Sequence, residues 1–371
     1  MRKKMNTLIK FGLTLILSCF IGQVTVLADE SKNKTNLNDS ETKGSFSGAI
    51  ESAHPEWFKE SFLELEEDIA EAAEANKRLV VYFWQEGCPY CNQLWQGVTS
   101  DQKIVDEFRK NFDLVAINIW GDREIISVGG DEYTEKTFSK ALGIQYTPTL
   151  LFFNEDRKVI HRLNGYVPVD NFQKSMRYVS GKHEKNGAFS EFSLDKDKKE
   201  KEITNAVLNQ QDFFIAPTYD LSVQAKPSID KRTDKKHTVV FFETENCKNC
   251  DLLHQKTLKD EKTLALAKQF SAYQLNRHST DKVITPKGKS TTAKQWANDL
   301  NIEYLPAMIF FDDEGNQVMR IDTQLRTFHI QSMFDYVLSD AYQSEKDFQK
   351  YISERADKII ESGEDVDILA Y

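Results

Sequence analysis

The 371-residue sequence predicts an α/β protein made of two tandem domains, each a central mixed sheet flanked by helices. Three observations carry that prediction. An apolar strand-like run, Leu79 to Trp84, leads through a short turn into Cys88-Pro-Tyr-Cys91. A matching run recurs at His237-Thr-Val-Val-Phe-Phe-Glu, leading to Cys247-Lys-Asn-Cys250, 159 residues later. Further on, Leu142-Gly-Ile-Gln-Tyr-Thr-Pro-Thr-Leu-Leu-Phe-Phe matches Leu300-Asn-Ile-Glu-Tyr-Leu-Pro-Ala-Met-Ile-Phe-Phe at a shift of 158. Two signals in the same order, at nearly equal offsets, mark an internal duplication. Length alone allows two to three domains, and the repeat favours two.

The elements follow in order. Residues 1–28 read as a signal peptide. Arg2, Lys3, Lys4 and Lys10 form a basic leader, Phe11 to Ile21 an apolar core, and Val26-Leu27-Ala28 a cleavage site. The apolar run is short for a membrane span, which disfavours an uncleaved anchor. Ile16-Leu17-Ser18-Cys19 loosely resembles a lipobox, so lipid anchoring through Cys19 is the alternative. Residues 29–53, polar and poor in apolar side chains, read as a disordered tether. The first domain spans 54–192. Pro55 to Asn76 reads as a helix on the spacing of Trp57, Phe58, Phe62, Leu65, Ile69, Ala72 and Ala73. Its acidic face (Glu64, Glu66, Glu67, Asp68, Glu71, Glu74) reads as solvated.

The strand Leu79–Trp84 and the helix opening at Cys88 come next, then a helix over 101–111 and a strand over 114–120. A polar insertion over 121–138 contains Gly129-Gly130 and suggests a hairpin or loop. A helix over 134–142, a hairpin from 149–154 and 159–163, and a final helix over 169–180 complete the copy. That order fits a mixed sheet covered on both faces. Residues 193–236 read as linker and arm, 237–345 as the second domain with its own polar insertion over 277–292, and 346–371 as a helical tail.

Charged residues make up 29% of the chain and hydrophobic ones 40%, ordinary for a globular protein with enough apolar mass for two cores. The net charge is −10, and the first 28 residues hold four basic residues and no acid, so the rest carries −14. That balance argues against nucleic acid as a partner. Five cysteines are present. Outside the leader they form two Cys-x-x-Cys pairs, each closing a loop too small to stabilise much, which points to redox work rather than stapling. A Cys-x-x-Cys at a helix start has a physical purpose. First-turn N–H groups and the helix dipole favour the thiolate of the first cysteine, and the second lies one turn on, within reach to close a disulfide. Pro89 stands where a missing N–H costs nothing. Lys248 favours a thiolate in the second pair. Zinc held between the two pairs is disfavoured by the 155 intervening residues. The seven histidines show no metal spacing, and no phosphate loop or Ser/His/Asp pattern stands out, so no cofactor is expected.

Strand, Cys-x-x-Cys, then a distant proline before an apolar strand resembles the thioredoxin fold. The stretch Trp84-Gln-Glu-Gly-Cys-Pro-Tyr-Cys, with Pro55-Glu-Trp-Phe-Lys before it and the polar insertion after it, looks like the exported SoxW-type thioredoxins. The resemblance covers most of residues 55–340 and is looser in the second copy. Cys-Pro-Tyr-Cys is also the glutaredoxin form of the motif, against which the export signal speaks. The resemblance implies a thiol–disulfide oxidoreductase with Cys88, Cys91, Cys247 and Cys250 as redox cysteines. It also implies cis peptide bonds before Pro148 and Pro306, with Thr147, Pro148, Leu305 and Pro306 binding substrate. Expected partners are client proteins carrying disulfides and a membrane thiol electron donor, in an exported, periplasmic setting. Many thioredoxins carry a buried Asp six residues before the first cysteine. Here those positions are Tyr82 and Phe241, which puts the usual proton route in doubt and leaves Glu86 and Glu245 as candidate substitutes. A thioredoxin-fold binding module without activity is the competing reading.

Overall fold

The computed structural model describes residues 43–194, 208–215, 220–222 and 237–371. The expected signal peptide, most of the expected tether and much of the expected linker lie outside them.

The two copies repeat one architecture. In the first, β2 (Arg78–Trp84) is central; β3 (Phe112–Asn118) lies parallel on one side, and β6 (Thr149–Phe153) and β7 (Val159–Asn164) follow antiparallel on the other. In the second, β8 (Thr238–Glu243) is flanked by β9 (Ser271–Asn276) on one side and β12 (Ala307–Phe311) and β13 (Gln317–Ile321) on the other. The sheet orders are β3-β2-β6-β7 and β9-β8-β12-β13. Equivalence extends to the irregularities: register shifts fall at Phe152/Phe153 and Phe310/Phe311. The chain is thus two tandem thioredoxin-like domains, each a four-stranded mixed sheet with helices on both faces.

Each central strand reads as an unbroken apolar run because both its faces are covered. Val80 and Tyr82 join one core with Leu94, Phe108 and Phe172. Leu79, Val81 and Phe83 join the other with Leu65, Ile69 and Phe138. The first face is closed by α2 (Pro89–Thr99), α3 (Gln102–Asn111) and α5 (Val169–Ser180), the second by α1 (Leu65–Glu74) and α4 (Glu135–Ala141). In the second copy, α6 (Lys248–Gln255), α7 (Glu261–Ala267), α8 (Ala293–Asp299) and α9 (Thr327–Leu338) take these places. The polar insertions are short hairpins, β4 (Glu124–Ile126) with β5 (Glu132–Thr134), and β10 (Lys282–Ile284) with β11 (Ser290–Thr292).

Three expectations are corrected. The helix expected over 55–76 is only Leu65–Glu74. Leu63 takes a left-handed φ of 64°, which a helix does not tolerate. Ahead of it, Lys59 N–H donates to the Leu114 carbonyl at 2.8 Å, and Phe58 packs on Trp95 with centroids 4.9 Å apart. Phe62, read as part of the apolar stripe, is 94% exposed. Asp68 is not solvated either: it is buried, with Lys59 Nζ at 2.7 Å and Ser61 Oγ at 2.6 Å.

The tether expected to be disordered to residue 53 is ordered from residue 43. There β1 (Phe46–Ser47) pairs in parallel with β14 (Val366–Asp367). Asn92 on α2 then clasps the next turn, donating to the Glu51 carbonyl at 2.7 Å and accepting from Ala53 N at 3.2 Å. The tail is likewise no loose appendage. After α10 (Ala341–Ser344), α11 (Phe348–Glu361) lies against α9, burying Phe348, with Tyr351 Oη donating to Asp335 at 2.6 Å.

The described parts of the arm run along β9 of the second sheet and β10 of its insertion hairpin. Phe214 bridges Ala272, and buried Leu221 donates its N–H to Ile284 at 2.8 Å.

The copies are locked by a reciprocal exchange. Tyr146 enters the core of the second copy, its hydroxyl donating to the Arg320 carbonyl. Tyr304, its counterpart, enters the core of the first, its hydroxyl 2.9 Å from Ser175 Oγ. Gly165 (φ 70°) lets β7 approach closely: a Cβ there would meet Thr323 Oγ1 at 2.5 Å.

Candidate redox site

The first site is assembled where β2 ends. Gly87 adopts φ 75°, a turn open to glycine, and aims Cys88 at the helix start. Cys88 is the N-cap of α2, its Sγ accepting from Cys91 N at 3.1 Å, and Pro89 follows at the first helical position. The sulfur thus sits on the first-turn N–H groups, where negative charge is favoured. Cys88 and Cys91 are joined as a disulfide, as are Cys247 and Cys250. Opposite, Thr147–Pro148 is a cis peptide, and the Thr147 carbonyl oxygen is 3.6 Å from Cys88 Sγ. The structure therefore brings together Cys88, Cys91, Thr147 and Pro148.

The second site repeats the frame. Cys247 caps α6, its Sγ accepting from Cys250 N at 3.1 Å, and Leu305–Pro306 is also cis. Asn246 (φ 56°) stands in the left-handed conformation held by Gly87 in the first copy. Exposure separates the two. Cys88 is 3% exposed and closed in, whereas Cys247 is half-buried beside an exposed Lys248.

Several residues of the first site were not singled out from sequence. Gln85 donates to Thr147 Oγ1 at 3.0 Å and to Gln349 Oε1 at 2.8 Å, and accepts from Trp120 Nε1 at 2.8 Å. Gln349, on α11, donates to the Gln145 carbonyl at 2.7 Å. Tyr90, inside the motif, accepts from Arg326 N at 3.1 Å and packs edge-on against His329, 5.3 Å between centroids. Gln85 was legible as the residue between strand and motif. Gln349, Arg326 and His329 lie more than 230 residues from the motif and left no local signal.

The proton route also differs from expectation. Burial raises the Tyr82 hydroxyl well above its usual range, so it remains protonated and does not act as a base. Glu86 is exposed and accepts Ser52 N–H at 3.0 Å. Glu245 accepts from Asn276 Nδ2 at 2.6 Å. The second copy instead buries an acid–imidazole pair under its cysteines: Glu243 Oε1 is 2.8 Å from His254 Nε2, one turn beyond Cys250. Gln274 and Gln211 complete the network at 2.8 and 3.0 Å. The first copy has Trp84 and Trp95 at these positions. Among the described residues no cluster of three or more His, Cys, Asp or Glu could hold a metal.

A family model described as a thioredoxin-like domain matches residues 65–180 and again 227–338. Among solved structures, a thioredoxin-fold protein from Helicobacter pylori is similar at 16% identity, covering 38% of this chain and 92% of that one, TM-score 0.32. A thioredoxin from Thermus thermophilus is similar at 22% identity, covering 36% and 95%, TM-score 0.27. A putative disulphide-isomerase from Bacteroides thetaiotaomicron is similar at 23% identity, covering 34% and 95%, TM-score 0.27. No curated protein matches this chain. Because the family model matches both copies, and together these spans exceed half of the residues, the chain belongs to the thioredoxin-like domain family and carries that domain twice.

Proposed function

We propose that the chain is an exported thiol–disulfide oxidoreductase of the SoxW-type group, with disulfide-bearing proteins among its clients and a membrane thiol protein as electron donor. The observation that carries the exchange chemistry is Cys88 Sγ on the N-terminus of α2, 3.6 Å from the carbonyl before cis-Pro148. Reduced Cys88, as thiolate, attacks a substrate disulfide; one substrate sulfur leaves as thiolate and a mixed disulfide forms. Cys91 attacks Cys88 Sγ, the second substrate sulfur leaves, and the pair is oxidised as two electrons pass to the substrate. Thr147 and Pro148 bind the substrate beside the sulfur, as Leu305 and Pro306 do in the second copy. Cys247 and Cys250 form the second redox pair, and Lys248 favours its thiolate. The basic and apolar leader supports export to a periplasmic space, with lipid anchoring through Cys19 as its variant. Net charge −10 gives nucleic acid no part in this reading.

Trapping tests it. Replacing Cys91 by Ser in the full chain, with Cys19 and the second pair changed to serine, leaves a mixed disulfide at Cys88 with no thiol to resolve it. Mixed disulfides should then accumulate and vanish on reduction; their absence, with Cys88 titrating as a free thiol, refutes the reading.

A further inference from the structure

The two cysteine pairs differ in what can reach them. Cys88 lines a cleft of about 440 Å³. Its walls come from distant parts of the chain: Phe46 at the N-terminal strand, Phe328 on α9, Ile352 and Ile360 on α11, and Ile368 after β14. Gln349 fixes α11 over the site by bonding both Gln85 and the loop before cis-Pro148. A folded protein needs roughly 800 Å² of matching surface around the bond it presents. A cysteine 3% exposed beside α11 offers no such surface. The cleft volume is instead that of a small-ligand site, which spans roughly 300–1,000 Å³.

Charge narrows the ligand further. The charged side chains that line the cleft among the described residues are Glu86 and Asp357. Burial brings His329 down to about 4, so it is neutral at pH 7. The Arg326 guanidinium, whose backbone touches Tyr90, is stacked on the Tyr371 ring, 3.6 Å from its centroid. The lining gives an incoming carboxylate no cation and gives an ammonium group two carboxylates.

We infer that the first pair, Cys88–Cys91, acts on low-molecular-weight disulfides of neutral or cationic character and excludes disulfides on folded proteins. The inference rests on the exchange chemistry proposed above and names its substrate class at this pair. The reduced pair delivers two electrons. The substrate's S–S bond breaks, the Cys88–Cys91 bond forms, and two small thiols leave with protons from solvent. A dithiol such as dithiothreitol returns the pair to its reduced form.

The test uses the full chain with Cys19, Cys247 and Cys250 changed to serine, reduced and freed of reductant. Its oxidation is followed with cystamine (cationic), glutathione disulfide (anionic) and insulin. Each rate is divided by that of dithiothreitol with the same disulfide, which removes intrinsic reactivity. The expected result is a preference of about tenfold or more for cystamine over glutathione disulfide, within the range that local charge gives association rates. Insulin should be slower than cystamine by a larger factor. Asp357→Lys, at an exposed position on the cleft rim, should narrow the cystamine preference at least threefold. Equal normalised rates on all three disulfides overturn the inference while leaving exchange intact. No oxidation by any of the three, with two thiols titrating, overturns the exchange reading itself and the inference with it.

Discussion

Replacing Tyr304 by Ala should destabilise the first copy, although the residue belongs to the second. Its ring lies in the core built by Tyr82, Phe152 and Phe172, and the residue is 9% exposed. Removing a buried aromatic side chain costs about 3–5 kcal/mol. The position lies between two domains and can partly close or admit water, so we expect about 3 kcal/mol. The hydroxyl is one end of a chain: it meets Ser175 Oγ at 2.9 Å, which meets His161 Nε2 at 2.9 Å. Tyr304→Phe keeps the ring and removes that link, for about 1 kcal/mol. Urea unfolding followed by tryptophan fluorescence measures this well, because Trp57, Trp84, Trp95 and Trp120 lie in the first copy and only Trp296 in the second. With slopes of about 1–3 kcal/mol/M, the midpoint should fall by about 1–3 M for Tyr304→Ala. Amide hydrogen exchange should lose protection in β2, β6 and α5. Tyr146→Ala should do the reverse, loosening β12, β13 and α9. If Tyr304→Ala leaves the fluorescence transition in place and lowers protection only within residues 237–345, the exchange of tyrosines does not couple the copies.

Other expectations concern the same interface and the second site. Glu303 is held up to about 8 by burial, and His161, 3.5 Å away, is held down to about 3 by burial, so at pH 7 this close contact joins two neutral groups rather than an ion pair. Folded Glu303 binds its proton more tightly than the unfolded chain does. Its contribution is complete below pH 4.5 and is lost as pH rises through about 8. Glu303→Gln should therefore match the parent in thermal stability near pH 4.5 and exceed it increasingly to pH 8, by at most about 5 kcal/mol; parallel curves across that range refute the assignment. Gly165→Ala forces a Cβ to 2.5 Å from Thr323 Oγ1 at a left-handed φ, and should lower the unfolding midpoint by the equivalent of about 2 kcal/mol or more. Glu243→Gln disrupts the buried hydrogen bond to His254 and should cost about 1–3 kcal/mol, seen as lost exchange protection in β8 and α6. An unchanged β8 would mean that the pair is energetically idle.

Much of this architecture was legible because the information is local and stated twice. An apolar run covered on both faces, followed at once by Cys-x-x-Cys, fixes strand, turn and helix within fifteen residues. The second copy repeats it with different side chains. The tyrosine two residues before each proline was equally visible, but nothing nearby says that its ring leaves its own domain. What stayed hidden depends on contacts far apart in sequence. The apolar spacing of Trp57, Phe58 and Phe62 mimics a helix face, yet the first two rings reach the core from a turn and the third reaches solvent. Gln349 is an unremarked polar residue in a charged helix until the fold carries it to Gln85. The buried Glu243–His254 pair escaped because a strand-end Glu and a helix His are ordinary in isolation.

The pairing of β1 with β14 sets an order in time. Phe46 meets Val366, so β1 waits for residues 320 positions later before it finds its neighbour. The wall over Cys88 is built from those same late residues. During synthesis the first cysteine pair is therefore present, and can fold onto its own sheet, long before its cleft exists. A newborn chain would show Cys88 openly to any oxidant or thiol in reach, and only the arrival of α11 and β14 would make the site selective.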